Sequence, residues 1–385
     1  MKKDNIKLKI LELIKEENGI SRIEISRRFG ITPASVGKII GEFLDSGTII
    51  EEREGESTGG RKPLILNINK KKIGEILGIY FAPTFVQISI GDIDGEIFSS
   101  KKYTLSELKE GIIPSVETLV ENKLKKNKNI NIISIVMNGL VDCEKGISIF
   151  SPHYNTKNIP IVEIFEKKFQ KKVFIENDVR AMALAEKVYG VCKENHNFVV
   201  LNVEDGVGGS IFLNNMLYHG YGSMSGELGH MVVKRNSLEK CSCGKRGCLE
   251  TEVSNRAIIK KALAQIVINN QYSILKKILD TGKKITIKDI INGVEEKDMV
   301  SMSVTFEALH YIAHALDMII SVINPEKIVI YGDLFQSDYI FNNLLKEIKK
   351  LTLVEQNYQI KRSEFYEEIF KISPMALTRY MIFKK

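Results

Sequence analysis

No uninterrupted apolar run in this 385-residue chain reaches membrane-spanning length, which argues against a helical membrane protein. No secretory leader is expected either. The N-terminal MKKDNIKLKILELIKEENG is broken by charge and has neither an apolar core nor a cleavage site. Cysteine is sparse, five residues in all, and reduced thiols with no leader predict a cytoplasmic protein. Net charge is low, +7 with 27% charged and 44% apolar residues, an ordinary balance for a globular protein. The length allows two or three domains. What excess charge there is leans forward: residues 1–72 carry a net +4 and the following 313 residues a net +3. That mild concentration favours a polyanionic partner for the N-terminal segment.

Three of the five cysteines stand together. The stretch SGELGHMVVKRNSLEKCSCGKRGCLE, residues 225–250, places His230 upstream of Cys241, Cys243 and Cys248. One imidazole and three thiolates complete a tetrahedral zinc shell with no position left for water, so the spacing predicts one structural zinc per chain and no hydrolytic metal. Gly244 and Gly247 let the backbone fold tightly around one ion. Glu227 and Glu250 bracket the cluster and are candidates for a neighbouring polar pocket.

The first 70 residues read as a winged helix-turn-helix. Ile6, Ile10, Leu13 and Ile14 share one helical face. Ser21 is placed to N-cap a second helix with Glu24 three residues on, and Phe29-Gly30 closes it. Thr32-Pro33 opens a third helix, whose apolar stripe is Val36, Ile39, Ile40, Phe43 and Leu44. Its opposite face carries Ser35, Gly37, Lys38 and Gly41, small or basic residues suited to a major groove. TIIEERE and LILNIN then read as a hairpin with Gly59, Gly60, Arg61 and Lys62 at its tip. The candidate DNA contacts are Thr32, Ser35, Lys38, Gly60, Arg61 and Lys62. Glu51, Glu52, Glu54 and Glu56 would repel phosphate and confine any wing contact to the tip.

From Ile73 the pattern turns to strands. EILGIYF, FVQISIGD and EIFSSKKY precede a helix near 105–125 and the strand NIISIVM. KVFIE runs into a helix at Asn177-Asp178. NFVVLNV leads through EDGVGGS to another strand, and a helix near 303–323 precedes KIVIYG. Two similar alternating halves predict an α/β body with a cleft between lobes.

GGRKP, END, the Gly-rich loop, GELGH and CxCGxxGCLE, behind a winged helix, make the chain resemble the repressor/ORF/kinase (ROK) family over essentially its whole length. Within it the chain is most similar to regulators of the xylose-repressor and N-acetylglucosamine-repressor type. The resemblance implies a two-lobed actin-like, hexokinase-like body, a homodimer or homotetramer, and a sugar effector of the xylose, glucose or N-acetylglucosamine class. Domains are then expected at 1–70, 73–190 and 191–385, with the C-terminal helix returning to the first lobe. Asn177, Asp178, Glu227, His230 and Glu250 would bind the sugar, with Asn177 and Asp178 also able to cap a helix.

Kinases of the family open the body with an Asp-x-Gly-Gly-Thr phosphate loop. Here the stretch is Gly78-Ile79-Tyr80-Phe81-Ala82-Pro83-Thr84, with tyrosine for the aspartate and a proline that lacks an N–H. The second phosphate loop reads Glu204-Asp205-Gly206, and its carboxylates would repel a triphosphate. A late segment, Tyr331-Gly332-Asp333, lacks the usual glycine pair. These departures predict a DNA-binding regulator and no enzyme, probing operator DNA with one end and sugar with the other. The intact Glu176-Asn177-Asp178 supports the alternative, an ATP-dependent sugar kinase with a fused DNA-binding arm and Asp178 as base. A regulator that answers to a protein in place of a sugar is the third reading.

Overall fold

A computed structural model describes residues 3–17, 19–53, 64–109, 111–151, 153–351 and 359–383. The chain forms two compact units. The first comprises Met1–Met137, Cys143–Glu176 and Phe370–Lys385, and the second Asn138–Asp142 and Asn177–Ile369. The division expected at residue 190 therefore lies elsewhere. Helix Asp178–Val188 belongs to the second unit because it packs on the strands Phe198–Val203 and Val207–Leu213.

In the first unit, α1 (Lys3–Glu16), α2 (Arg22–Phe29) and α3 (Pro33–Asp45) precede a small sheet of β1 (Ile20–Ser21), β2 (Ile49–Arg53) and β3 (Leu64–Ile68) in the order β1-β3-β2. The caps form where the sequence places them. Ser21 Oγ accepts the Glu24 N–H at 3.2 Å, Thr32 Oγ1 accepts that of Ser35 at 3.3 Å, and Gly30 closes α2 with φ +62°. Val36, Ile39 and Ile40 are buried, whereas Phe43 and Leu44 are half-buried. On α1 Ile10, Leu11 and Ile14 are buried, and Ile6 and Leu13 are partly exposed. β2 and β3 pair from Ile49 opposite Ile68 to Arg53 opposite Leu64. The expected wing-tip residues Gly60, Arg61 and Lys62 lie outside the described residues.

Residues joining this module to the body are held at several points. Asn69 Oδ1 caps the single turn Lys70–Ile73 through the Lys72 N–H, Lys72 Nζ donates to Ser46 O at 2.7 Å, and Lys70 pairs with Asp94. The connection is thus part of one folded unit and not a free hinge.

The body sheet of the first unit contains β4 (Glu75–Phe81), β5 (Phe85–Gly91), β6 (Ile97–Thr104), β7 (Ile130–Met137) and β8 (Lys172–Asn177), ordered β8-β7-β4-β5-β6. The second unit repeats that order with β9 (Phe198–Val203), β10 (Val207–Leu213), β11 (Met216–Leu217), β12 (Lys327–Tyr331) and β13 (Gln359–Arg362), as β11-β10-β9-β12-β13. In each sheet the first strand pairs antiparallel with the second and parallel with the fourth. Helix Met299–Ile323 is long and apolar enough to cross a membrane by length and composition. Here its Val304, Ala308, Leu309, Ile312, Leu316 and Ile319 line the core of the second unit.

Candidate functional site

The residues expected to hold a sugar gather in the second unit around the start of β10. Glu204-Asp205-Gly206 is the tight turn between β9 and β10, closed by Glu204 N–H to Gly206 O at 2.9 Å. Beyond it Gly208 and Gly209 permit two close approaches to β10. A Cβ on Gly208 would stand 2.9 Å from Val179, and one on Gly209 would collide with Leu228. The first contact brings in the start of helix Asp178–Val188, and the second the turn Leu228–His230. Glu250, in the short helix Leu249–Val253, is fixed by accepting the Val207 N–H at 3.1 Å. Asn177-Asp178 and the Glu227, His230 and Glu250 group thus belong to one unit, whereas the sequence had assigned them to opposite lobes.

Asn177 is the N-cap, its Oδ1 accepting the Arg180 N–H at 3.1 Å. Its amide donates to Gly139 O and to Asp178 Oδ1, both at 2.8 Å. The Val179 N–H also reaches Asp178 Oδ1, at 2.9 Å. Both bonds fall on Oδ1, so Oδ2 is left as an acceptor among the described residues. Burial pushes the Asp178 carboxyl up to about 6, against the lowering pull of the Val179 N–H and of Arg180. Asp178 still keeps a solvent-accessible edge.

Sequence reasoning missed Arg180. It is 3% exposed, and its guanidinium donates to Val141 O at 2.9 Å and Ser223 O at 3.2 Å. Its position two residues after Asp178 was the only available signal; its carbonyl partners lie about 40 residues away in either direction.

The cysteine motif folds back on the strand-like segment after His230. Val232 bridges Cys248, Lys240 bridges Arg246, and the Leu249 N–H donates to Met231 O at 2.8 Å. Gly247, at φ +68°, lies so close to Lys234 O that no side chain fits. This brings His230 Nδ1 within 3.4 Å of Cys241 Sγ and Cys243 Sγ within 3.6 Å of Cys248 Sγ. All four ligand atoms lie within 4.8 Å of one another. A disulfide would need about 2.05 Å. A regular tetrahedron with zinc–sulfur bonds of about 2.3 Å has sulfur atoms about 3.8 Å apart, so the donor set fits a metal ion. Burial pushes the Cys248 thiol up to about 12, while the Lys245 N–H lowers Cys243. A bound cation overrides both, because a coordinating thiol gives up its proton. His230 Nε2 lies 3.8 Å from Glu227 Oε2. A metal ion bound at Nδ1 would leave the N–H on Nε2, facing that carboxylate.

The stretch matching the first phosphate loop has become core. Tyr80 is 2% exposed and meets the Phe370 ring edge-on at 5.0 Å, as Phe85 does at 5.1 Å. Ala82-Pro83-Thr84 is the short turn between β4 and β5, with Ala82 N–H on Phe85 O at 3.0 Å and Ala82 O accepting the Tyr154 hydroxyl. In the N-terminal module, Thr32, Ser35 and Lys38 are all exposed at one end and along one face of α3.

Residues 3–50 match the winged helix-turn-helix DNA-binding family. The xylose repressor of Caldicellulosiruptor bescii is 29% identical over 370 residues, 92% of this chain and 90% of that protein. The DNA-binding transcriptional dual regulator NagC of Escherichia coli K12 is 27% identical over 363 residues, 92% of this chain and 87% of its own. Among solved structures, a ROK family transcriptional regulator homologous to the E. coli MLC protein superposes with a TM-score of 0.84 at 27% identity, covering 99% of this chain and 97% of that one. A ROK family glucokinase from Streptomyces griseus, solved with glucose and AMPPNP, gives 0.67 at 22% identity over 79% of this chain and 98% of its own, a likeness of fold. Residues 76–365 match the ROK family, and with most of its length inside that match the chain belongs to it.

Proposed function

We propose that this chain is a sugar-responsive, DNA-binding transcriptional repressor of carbohydrate-utilisation genes, acting in the cytoplasm as a homodimer or homotetramer. The observation that carries this reading is a winged helix tied into one compact unit with a ROK half-body whose first phosphate loop is an aromatic-packed turn. Pro83 has no N–H and that of Ala82 is spent on Phe85 O, so this turn does not offer a nucleotide the amide cradle of a glycine loop. The relatives called xylose repressor and NagC support the same class.

In this reading α3 enters the major groove with Thr32, Ser35 and Lys38, and Gly60, Arg61 and Lys62 follow the adjacent backbone. The sugar, a pentose or hexose of the xylose, glucose or N-acetylglucosamine class, is held by Asp178 Oδ2 and by the carboxylates of Glu227 and Glu250. Asn177 acts mainly by fixing Asp178, since both amide hydrogens are already engaged. His230, Cys241, Cys243 and Cys248 hold one zinc per chain. The ion is coordinatively closed and shapes the pocket without chemistry of its own. His230 Nε2 then offers an N–H to Glu227 or to a sugar hydroxyl.

A kinase reading draws on one observation, the intact Glu176-Asn177-Asp178 with a buried carboxyl raised to about 6, a value suited to a general base. A coupled assay with ATP, magnesium and a hexose and pentose panel separates the two. Turnover that disappears in Asp178→Asn would establish the kinase; operator binding that weakens with sugar, without turnover, establishes the regulator.

A further inference from the structure

Two loops of the second unit that the sequence marks as altered phosphate sites meet at a single tyrosine. Glu204 follows β9, Asp333 follows β12, and these strands are parallel neighbours, so both acids emerge at the same sheet end. Tyr366 Oη lies 2.6 Å from Asp333 Oδ1 and 3.0 Å from Glu204 Oε1. A phenol has one hydrogen and can donate it to one of the two. The other contact, oxygen lone pair against carboxylate, is repulsive unless that carboxyl carries a proton. The shorter contact takes the phenolic hydrogen, so Tyr366 donates to Asp333 and a protonated Glu204 donates to Tyr366.

Other groups around Glu204 leave this assignment in place. Asn255 Nδ2 lies 3.5 Å from Oε2, and the Asn255 N–H holds Glu204 O at 2.8 Å. Asp205 is exposed on the same turn, Arg256 spends its Nε on Asp205 O at 2.9 Å, and Glu250 lies beyond Gly206. Burial, and then the charge of Asp333, push Glu204 up to about 7 against the lowering pull of the Tyr366 hydroxyl and the Asp333 N–H, and burial also raises Tyr366. The raised carboxyl agrees with the proton count reached from the distances.

Tyr366 sits in the last stretch of the second unit, four residues before the chain passes at Phe370 into the unit that carries the winged helix. The same stretch is anchored at Ser363, whose hydroxyl donates to the buried Glu186 at 2.5 Å. We propose that Glu204, Tyr366 and Asp333 form a one-proton clasp on this exit segment, and that its proton is a second input to the regulator beside the sugar. Loss of the proton near neutral pH leaves two carboxylates facing one phenolic hydrogen, so one of the two contacts opens and the exit segment loosens. The output of the clasp rests on the regulator reading; the proton itself does not.

Infrared difference spectra of the full-length protein against Glu204→Gln test the proton. A protonated-carboxyl band that depends on Glu204 is expected at pH 6 and absent at pH 8.5. Operator affinity, measured at constant ionic strength on a duplex obtained by in vitro selection, tests the output. The wild type is expected to shift by about fivefold or more across this range, with its midpoint near neutral pH. Glu204→Gln, whose amide donates to Tyr366 at every pH, should stay at the wild-type acid limit. Tyr366→Phe, which keeps both acids and removes the bridge, should lose the step. Absence of the band at pH 6 overturns the clasp. A band with identical pH dependence of operator affinity in all three proteins overturns its role as an input. Failure to bind any DNA sequence specifically overturns the regulator reading and the output, while the band still decides the proton.

Discussion

Asp178→Asn should weaken sugar binding at least about tenfold and make the sugar-free protein more stable at pH 7.5. The carboxyl is raised from 3.8 to about 6, chiefly by burial. A folded-state value above the unfolded one gives stability that is present below the unfolded value and is lost as pH rises through the window from about 4 to about 6. Above it the folded chain carries a desolvated charge whose cost has a ceiling of about 3 kcal/mol at about 1.4 kcal/mol per unit. The solvent-accessible edge and the lost attraction to Arg180 reduce the recoverable part to about 1–2 kcal/mol. Asparagine keeps the Oδ1 acceptor for the Asn177 amide and the Val179 N–H, so the fold is retained. The sugar loses a charged acceptor whose hydrogen bonds are each worth about 1.5–3 kcal/mol, which is at least about tenfold in affinity. In the wild type, protonation of Asp178 should weaken the sugar about three- to fivefold between pH 6 and pH 5. Calorimetric titration from pH 5 to 8, with whichever of xylose, glucose and N-acetylglucosamine most raises the melting temperature, reads the affinity. Urea unfolding reads the stability. Equal sugar affinity in Asp178→Asn and wild type, with no pH dependence, would refute Asp178 as a sugar ligand.

Elemental analysis should find about one zinc per chain, and Cys243→Ser, although its site is exposed, should lose the metal and unfold at lower denaturant concentration; metal-free protein of full stability contradicts the tetrahedral assignment. ATP and magnesium should give no phosphoryl transfer to any hexose or pentose above background, and robust turnover dependent on Asp178 would reverse that conclusion. Lys38→Ala and Arg61→Ala should each weaken operator binding, and a phosphate contact at Arg61 should lower the salt slope by about one. Half-sites should lie about one helical turn, roughly 34–36 Å, apart or at a multiple of it. Unchanged binding in both variants would remove the winged helix from the DNA interface.

Features with a local cause were legible in the sequence. Ser21, Thr32-Pro33 and Gly30 cap because a cap needs only its own turn. His230, Cys241, Cys243 and Cys248 stand within 19 residues of one another, and their ligand atoms meet as that short spacing predicts for a group able to hold a metal ion. What was illegible depends on residues distant in sequence. β1, only Ile20–Ser21, exists because it pairs with Leu66 and Ile65. The boundary at Glu176/Asn177 follows from packing of helix Asp178–Val188 on β9 and β10, although the same helix directly continues β8. Tyr366 reaches back 162 residues to Glu204, and nothing in its neighbourhood in sequence marks it. The altered phosphate motifs were visible as departures, but not that two of them close on one phenol.

The central claim, one molecule coupling sugar to DNA, is tested most directly by titrating the sugar into the full-length protein with and without saturating operator duplex. Coupling works in both directions, and a term of about 1–3 kcal/mol shifts either affinity by about 5- to 150-fold. The expected result is weaker sugar binding in the presence of operator, by the same factor as the sugar weakens the operator, with both effects absent in Asp178→Ala. Identical sugar affinities with and without operator would contradict the account.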